Sequence, residues 1–199
     1  MDKIKVKEQF NWGPLVLTYD LSTDLFNKIK SIKPEYKQGK DKRNIDGSLK
    51  INSRYGYSND NWLLVQNLLD GYFKNYISKS TSIPVKYELS GLWVNGNSTI
   101  ESINPHIHEY CDISFVLYIQ SNQDIIDQDE IKEAGYTYFQ YGQPSDNRAI
   151  LRNIHNNSHR PVDGELVIFP SNLLHFVIPF NIPDVKRYTM SGNLQLITN

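Results

Sequence analysis

The chain has 199 residues, with 21 basic and 22 acidic side chains and a net charge of −1; that length fits one domain with a buried core, and that charge lacks the basic footprint of a nucleic-acid binder. The single cysteine, Cys111, excludes an intrachain disulfide and any multi-cysteine zinc site. No apolar run approaches the roughly 20 residues of a membrane helix, and the charged start Met1-Asp2-Lys3-Ile4-Lys5-Val6-Lys7-Glu8 has no signal-peptide core, so a soluble, cytoplasmic protein without nucleic-acid or membrane partners is expected.

In chain order, the first predicted helix starts at Ser22 or Thr23 as N-cap, carries Leu25, Phe26, Ile29 and Ile32 at helical spacing, and stops at Pro34. Residues 39–61, rich in Lys, Asp, Asn, Gly and Ser, read as loop. A second helix over residues 62–79 gathers Leu64, Leu68, Leu69, Tyr72, Phe73 and Tyr76 on one side, which is core packing. From Pro84 the pattern changes to period two, with strands expected at 87–95, 113–120, 136–141, 149–154, 165–169 and 188–197. Residues 125–133 interrupt them as an acidic surface excursion. The reading is one domain over 1–199, with a partly helical lead-in and support at 1–85 and a β sandwich or barrel at 86–199. The 21 Ile and 20 Asn against 2 Ala match the codon bias of a low-GC microbe or virus.

Of five histidines, His106 and His108 are the informative pair. On an extended backbone residues i and i+2 share a face, so both imidazoles can meet one metal ion while Ile107 points away. A third ligand must come from elsewhere in the sheet. His175, at the end of the turn–strand–turn segment Gly164-Glu165-Leu166-Val167-Ile168-Phe169-Pro170-Ser171-Asn172-Leu173-Leu174, is the best candidate. Imidazoles suit iron, zinc, copper or nickel. His155 and His159 lie in the polar stretch 153–160 and read as loop residues.

Leu92-Trp93-Val94-Asn95, Asn104-Pro105-His106-Ile107-His108, residues 113–118, the segment from Gly164 to His175, and Arg187-Tyr188-Thr189 leading to Asn193 together resemble the iron(II)- and 2-oxoglutarate-dependent oxygenases. The similarity spans residues 87–197 and is greatest to the small phage and bacterial branch. The resemblance implies a mainly β fold, a double-stranded β-helix (jelly-roll), with N-terminal helices packed outside. It implies that His106 and His175 hold iron, and that Arg187 pairs with the distal carboxylate of 2-oxoglutarate through its planar fork. Thr189 shares a strand face with Arg187 and can add a hydroxyl to that carboxylate; Tyr118 and Asn95, on flanking strands, can hydrogen-bond the cosubstrate. The same parity puts Arg187, Thr189, Ser191 and Asn193 towards the cavity and Tyr188, Met190, Gly192 and Leu194 on the opposite face.

The first motif departs from the family pattern. Most members have His-x-Asp or His-x-Glu there; this chain has His108, with Glu109 and Asp112 as alternative carboxylate ligands. The implied activity is that of a dioxygenase using Fe(II), 2-oxoglutarate and O₂, which hydroxylates an amino-acid side chain in the manner of a prolyl hydroxylase and releases succinate and CO₂. Its substrate would be a small molecule or a peptide or protein side chain, and residues 39–61 and 124–133 would border the entrance. Two other readings use the same residues: a cupin-like zinc- or nickel-binding protein, and a non-catalytic jelly-roll module.

Overall fold

The computed structural model describes residues 4–9, 13–38, 53–99, 102–142 and 155–198. Eight strands run through the C-terminal part: β5 (Lys86–Asn97), β6 (Ile103–His106), β7 (Ile113–Gln120), β8 (Thr137–Tyr141), β9 (His155–His159), β10 (Glu165–Pro170), β11 (Leu174–Val177) and β12 (Arg187–Ile197). Taken in chain order they change sheet at every step except β8 to β9, with β10-β7-β12-β5 in one sheet and β6-β11-β8-β9 in the other, and every pairing is antiparallel. That alternation is a double-stranded β-helix.

The N-terminal half does more than supply helices. Strands β1 (Val6–Gln9) and β2 (Leu17–Asp20) extend the larger sheet beyond β10, and β3 (Tyr36–Gln38) and β4 (Ser53–Gly56) extend it beyond β5. Residues 53–56 therefore form a strand where loop was expected; three- and four-residue edge strands are too short to show a period of two. The rest of that predicted loop up to residue 52, and the predicted strand at 149–154, lie outside the described residues.

Helix α1 (Thr23–Ser31) begins at Ser22, whose Oγ accepts from Leu25 N–H at 3.4 Å. Helix α2 (Asn59–Ser80) is the longer one and buries Val65, Leu69, Phe73, Tyr76 and Ile77. These pack with Leu17, Leu92, Val94, Phe115, Leu117, Met190 and Leu194 on the outer face of the large sheet. The helix layer decides the polarity of β12. Its apolar side chains, Met190 and Leu194, go out to the helices, while Arg187, Thr189 and Ser191 turn inward to a cavity between the sheets. Gly192 is required in this row, because a Cβ there would come within 2.6 Å of the Phe115 ring and the Gly91 carbonyl.

A second core of Val16, Tyr118, Phe139, Val167, Phe169 and Leu173 fills one end of the space between the sheets. The acidic stretch forms a short helix, α3 (Gln123–Ile126), and is anchored rather than a free excursion. Ile126 is buried with Ala134 and Phe180, Gln123 donates to the Ala134 carbonyl at 2.8 Å, and Arg160 pairs with Asp124 and Asp127. Among the described residues, no helix is long and apolar enough to cross a membrane.

Candidate metal centre

Strand β6 ends at His106, and the antiparallel register sets His175 of β11 directly across from it. The ring centroids of this pair are 4.3 Å apart. His108 lies just past the strand, where its N–H donates to the Ser171 carbonyl at 2.9 Å, and its ring centroid is 5.1 Å from each of the other two. One ligand atom from each of the three rings falls within 4.8 Å of the others. The structure thus brings together His106, His108 and His175. It does not bring in Glu109 or Asp112: both are exposed, and Asp112 Oδ2 instead accepts from the Leu196 N–H at 2.7 Å.

The three rings are prepared as ligands. His106 Nδ1 lies 2.8 Å from the Asn104 carbonyl and His175 Nδ1 lies 2.9 Å from the Leu173 carbonyl. A carbonyl only accepts, so each Nδ1 carries the proton and each Nε2 keeps a lone pair for a metal. The ring of His108 stacks on Trp93 at 5.7 Å and is hydrogen-bonded by Asn193, whose Oδ1 also accepts from Ser114 at 3.0 Å. Burial, with His106 and Arg54 nearby, holds His108 down at about 4; burial and the neighbouring histidines hold His175 at about 3. Both rings are therefore neutral at neutral pH.

These shifts carry a sign for stability. From the ordinary 6.5 down to about 4, the unfolded chain takes up protons that the folded rings refuse. Unfolding is thus increasingly favoured as pH falls through that window. Urea titrations of chelator-treated protein should show the loss, and His175→Gln should flatten the slope. A variant that loses stability as steeply as the native chain would contradict the assignment.

The cavity beside the histidines has a volume of about 170 Å³ and is walled by Phe169, Val177, Val116 and Ile103, with Asn95, Thr137, Thr189, Ser191 and Arg187 as its polar lining. That is the scale of a cavity that holds one small organic molecule, ~150 Å³ for benzene. Arg187 is 1% exposed, and among the described residues its Nε and Nη1 have no hydrogen-bond partner and Nη2 reaches only Thr137 Oγ1 at 3.5 Å. Its guanidinium rests 5.3 Å from the centre of the Tyr118 ring, whose hydroxyl is 2.8 Å from the same Thr137 Oγ1. Asn95 Nδ2 donates to Ser191 Oγ at 3.3 Å. No Asp or Glu lines the cavity among the described residues.

A buried guanidinium without a counter-ion costs several kcal/mol. A ligand carboxylate would satisfy the idle donors, and three convergent imidazoles would hold a divalent ion beside it; the residues present fit both groups.

Residues 91–193, just over half of the chain, match the family described as "Putative 2OG-Fe(II) oxygenase". The chain belongs to this family. Solved structures of 2OG-Fe(II) oxygenases and their relatives share its fold at low sequence identity. A viral collagen prolyl hydroxylase from Paramecium bursaria Chlorella virus-1 is 9% identical with a TM-score of 0.51, over 92% of this chain and 96% of that one. The carbocyclase SnoK from nogalamycin biosynthesis is 10% identical with a TM-score of 0.56, over 90% and 78%. A Trichoplax adhaerens prolyl hydroxylase, in complex with a hypoxia inducible factor peptide, is 13% identical with a TM-score of 0.54, over 94% and 84%. No curated protein matches the chain. Family membership makes this an oxidoreductase and implies Fe(II), 2-oxoglutarate and O₂ as its cofactor, cosubstrate and oxidant.

The loop reading of the two remaining histidines needs correction. His159 is not a loop residue: it sits in β9, is 5% exposed, and its Nε2 lies 2.9 Å from Glu165 Oε2, with Lys7 on the other carboxylate oxygen. His155 opens the same strand. The run His155-Asn156-Asn157-Ser158-His159 reads as loop because an edge strand with polar residues on both faces has no hydrophobic alternation. Arg54, Trp93 and Thr137 also line the cavity. Arg54 escaped notice because its strand lies within a stretch that composition marks as loop; Thr137 carries no sequence signal.

Proposed function

We propose that this oxygenase hydroxylates an amino-acid side chain, with His106, His108 and His175 as the iron ligands and Arg187 as the anchor of 2-oxoglutarate. The observation that carries the reading is Arg187, fully buried with idle donors, in the cavity that holds the three-histidine cluster. Bound there, iron(II) with 2-oxoglutarate and O₂ supplies the oxidising chemistry and leaves succinate and CO₂.

The chain's own residues bind, orient and shield. The planar fork of Arg187 offers paired N–H donors to the distal carboxylate, and Thr189, two residues along the same inward face, adds a hydroxyl. The Tyr118 ring fixes the guanidinium plane from one side, with its own hydroxyl tied to Thr137. Asn95 offers a further polar contact to the bound acid. Phe169, Val177 and Val116 wall the reacting region with hydrocarbon. The absence of a lining carboxylate among the described residues agrees with chemistry that needs no protein general base.

The support for an amino-acid side chain comes from the prolyl hydroxylases among the structures that share the fold. Incubation with iron(II), 2-oxoglutarate and O₂ should yield succinate. A panel of free amino acids and peptides should contain a member that raises this yield and gains one oxygen in mass. No succinate above a metal-free control would overturn the proposal. Metal analysis showing zinc, with no 2-oxoglutarate binding, would favour the cupin-like alternative.

A further inference from the structure

The cavity has a second arginine. Arg54 lies on β4 opposite Asn95 of β5, with its guanidinium 4.6 Å from the centre of the Trp93 ring, and it lines the same cavity as the three histidines. Trp93 in turn stacks on His108, so guanidinium and imidazole both lie against one indole. Arg54 is exposed to solvent and forms no ion pair among the described residues. The Trp93 contact holds its guanidinium plane while its N–H fork stays available to a ligand.

The neighbouring indole tells the same story. Trp93 is 7% exposed, and its Nε1–H has no acceptor among the described residues. One buried donor and one exposed guanidinium on the same wall therefore have no acceptor among the described residues.

The charges of the filled site point the same way. Arg54 and Arg187 each carry one positive charge, and an imidazole that ligates a metal does so as a neutral ring. A divalent ion adds two positive charges and 2-oxoglutarate removes two. Two positive charges remain in a cavity whose described lining has no carboxylate. A site of the family's usual His-x-Asp type would carry one fewer.

We infer that the substrate presents a carboxylate, and that Arg54, backed by Trp93, is the residue that anchors it. The inference rests on the oxygenase reading for the identity of the second anion, but not for Arg54 as an acid receptor. Arginine suits this role because its fork binds a carboxylate bidentately and it stacks on an aromatic face. An anchored carboxylate near the metal ligands fixes which carbon of the substrate is presented to the oxidant.

Calorimetric titration of zinc-loaded protein, redox-silent and saturated with 2-oxoglutarate, tests this. The probes are L-proline against prolinamide, and capped acetyl-Gly-Glu-Gly-amide against its Gln counterpart. Each pair differs in a carboxylate; the first is a free acid and the second an acidic side chain in a peptide. The expected result is that the acid of one pair binds at least tenfold more tightly than its amide, and that pair identifies the source. Arg54→Gln should erase the discrimination, Arg54→Lys should keep part of it, and 2-oxoglutarate affinity should stay within twofold in both. Circular dichroism of the Lys variant guards against misfolding. Equal binding of acids and amides by the native protein, or discrimination that survives in Arg54→Gln, would overturn the inference. So would a loss of 2-oxoglutarate affinity in Arg54→Gln as large as that in Arg187→Met, because Arg54 would then belong to the cosubstrate. If zinc-loaded protein fails to take up 2-oxoglutarate at all, the oxygenase reading falls, and the acid–amide comparison still reads Arg54.

Discussion

Alanine at His175 should abolish binding of iron(II), weakening it by more than the roughly 100-fold that loss of a single supporting hydrogen bond can cost a metal site. His175 is the middle of the cluster: it faces His106 across the β6–β11 register and lies within stacking distance of His108. With it gone, two rings remain on one short segment, and two imidazoles without a carboxylate hold a divalent ion weakly in water. His106→Ala should have the same effect for the same reason. Glu109→Ala is the contrasting case. Glu109 is exposed and outside the cluster, so metal affinity measured by competition with a chelator should be unchanged. A loss of affinity in Glu109→Ala with retention in His108→Ala would move the third ligand from His108 to the carboxylate.

Arg187→Met should produce two effects of opposite sign. In the ligand-free protein Arg187 is a buried charge with unused donors, and replacing such groups by apolar side chains of similar volume is commonly neutral or stabilising by about 1–4 kcal/mol. The variant should therefore unfold at a higher urea concentration than the native chain. It should also bind 2-oxoglutarate about 100-fold more weakly, close to 3 kcal/mol, the usual cost of removing one partner of a buried, hydrogen-bonded ion pair. The native protein should gain stability when 2-oxoglutarate is added and the variant should not. Unfolding curves with and without the cosubstrate measure both effects together. A variant that is destabilised without ligand, yet still stabilised by 2-oxoglutarate, would mean that Arg187 is structural and the carboxylate sits elsewhere.

Much of the site was legible because side-chain parity is a local property. Arg187, Thr189 and Ser191 alternate with Tyr188, Met190 and Gly192 whatever the strand packs against, and the helix layer on the outer face then chooses which row turns inward. His106 and His108 could be paired for the same reason. The register that sets His175 opposite His106 across an interval of 69 residues is a long-range property; the turn–strand–turn segment before His175 marks the residue as a candidate, and the family resemblance adds to that. Strands β6 and β11 are four residues each, β6 contains Pro105, and neither shows a pattern that betrays it.

Arg54 illustrates the other limit. Its strand pairs with β5 over only four positions, in a polar neighbourhood, and a cation in such a stretch looks like any solvated surface charge. Its importance comes from what the fold sets beside it, Trp93 from the neighbouring strand. His159 shows the same effect for a buried group. It is held in β9 by Glu165, whose carboxylate needs both His159 and Lys7 to be tolerable in the interior. No local pattern marks that pairing.

The most direct test of the account is anaerobic titration of the iron(II)-loaded protein with 2-oxoglutarate, followed by visible absorption. Chelation of the iron by the cosubstrate gives a charge-transfer band. The account predicts that band in the native protein, its appearance only at much higher 2-oxoglutarate in Arg187→Met, and its absence in His106→Ala and His175→Ala. A native protein that shows no band at saturating iron and 2-oxoglutarate, or a His175→Ala variant that shows it undiminished, would contradict the account.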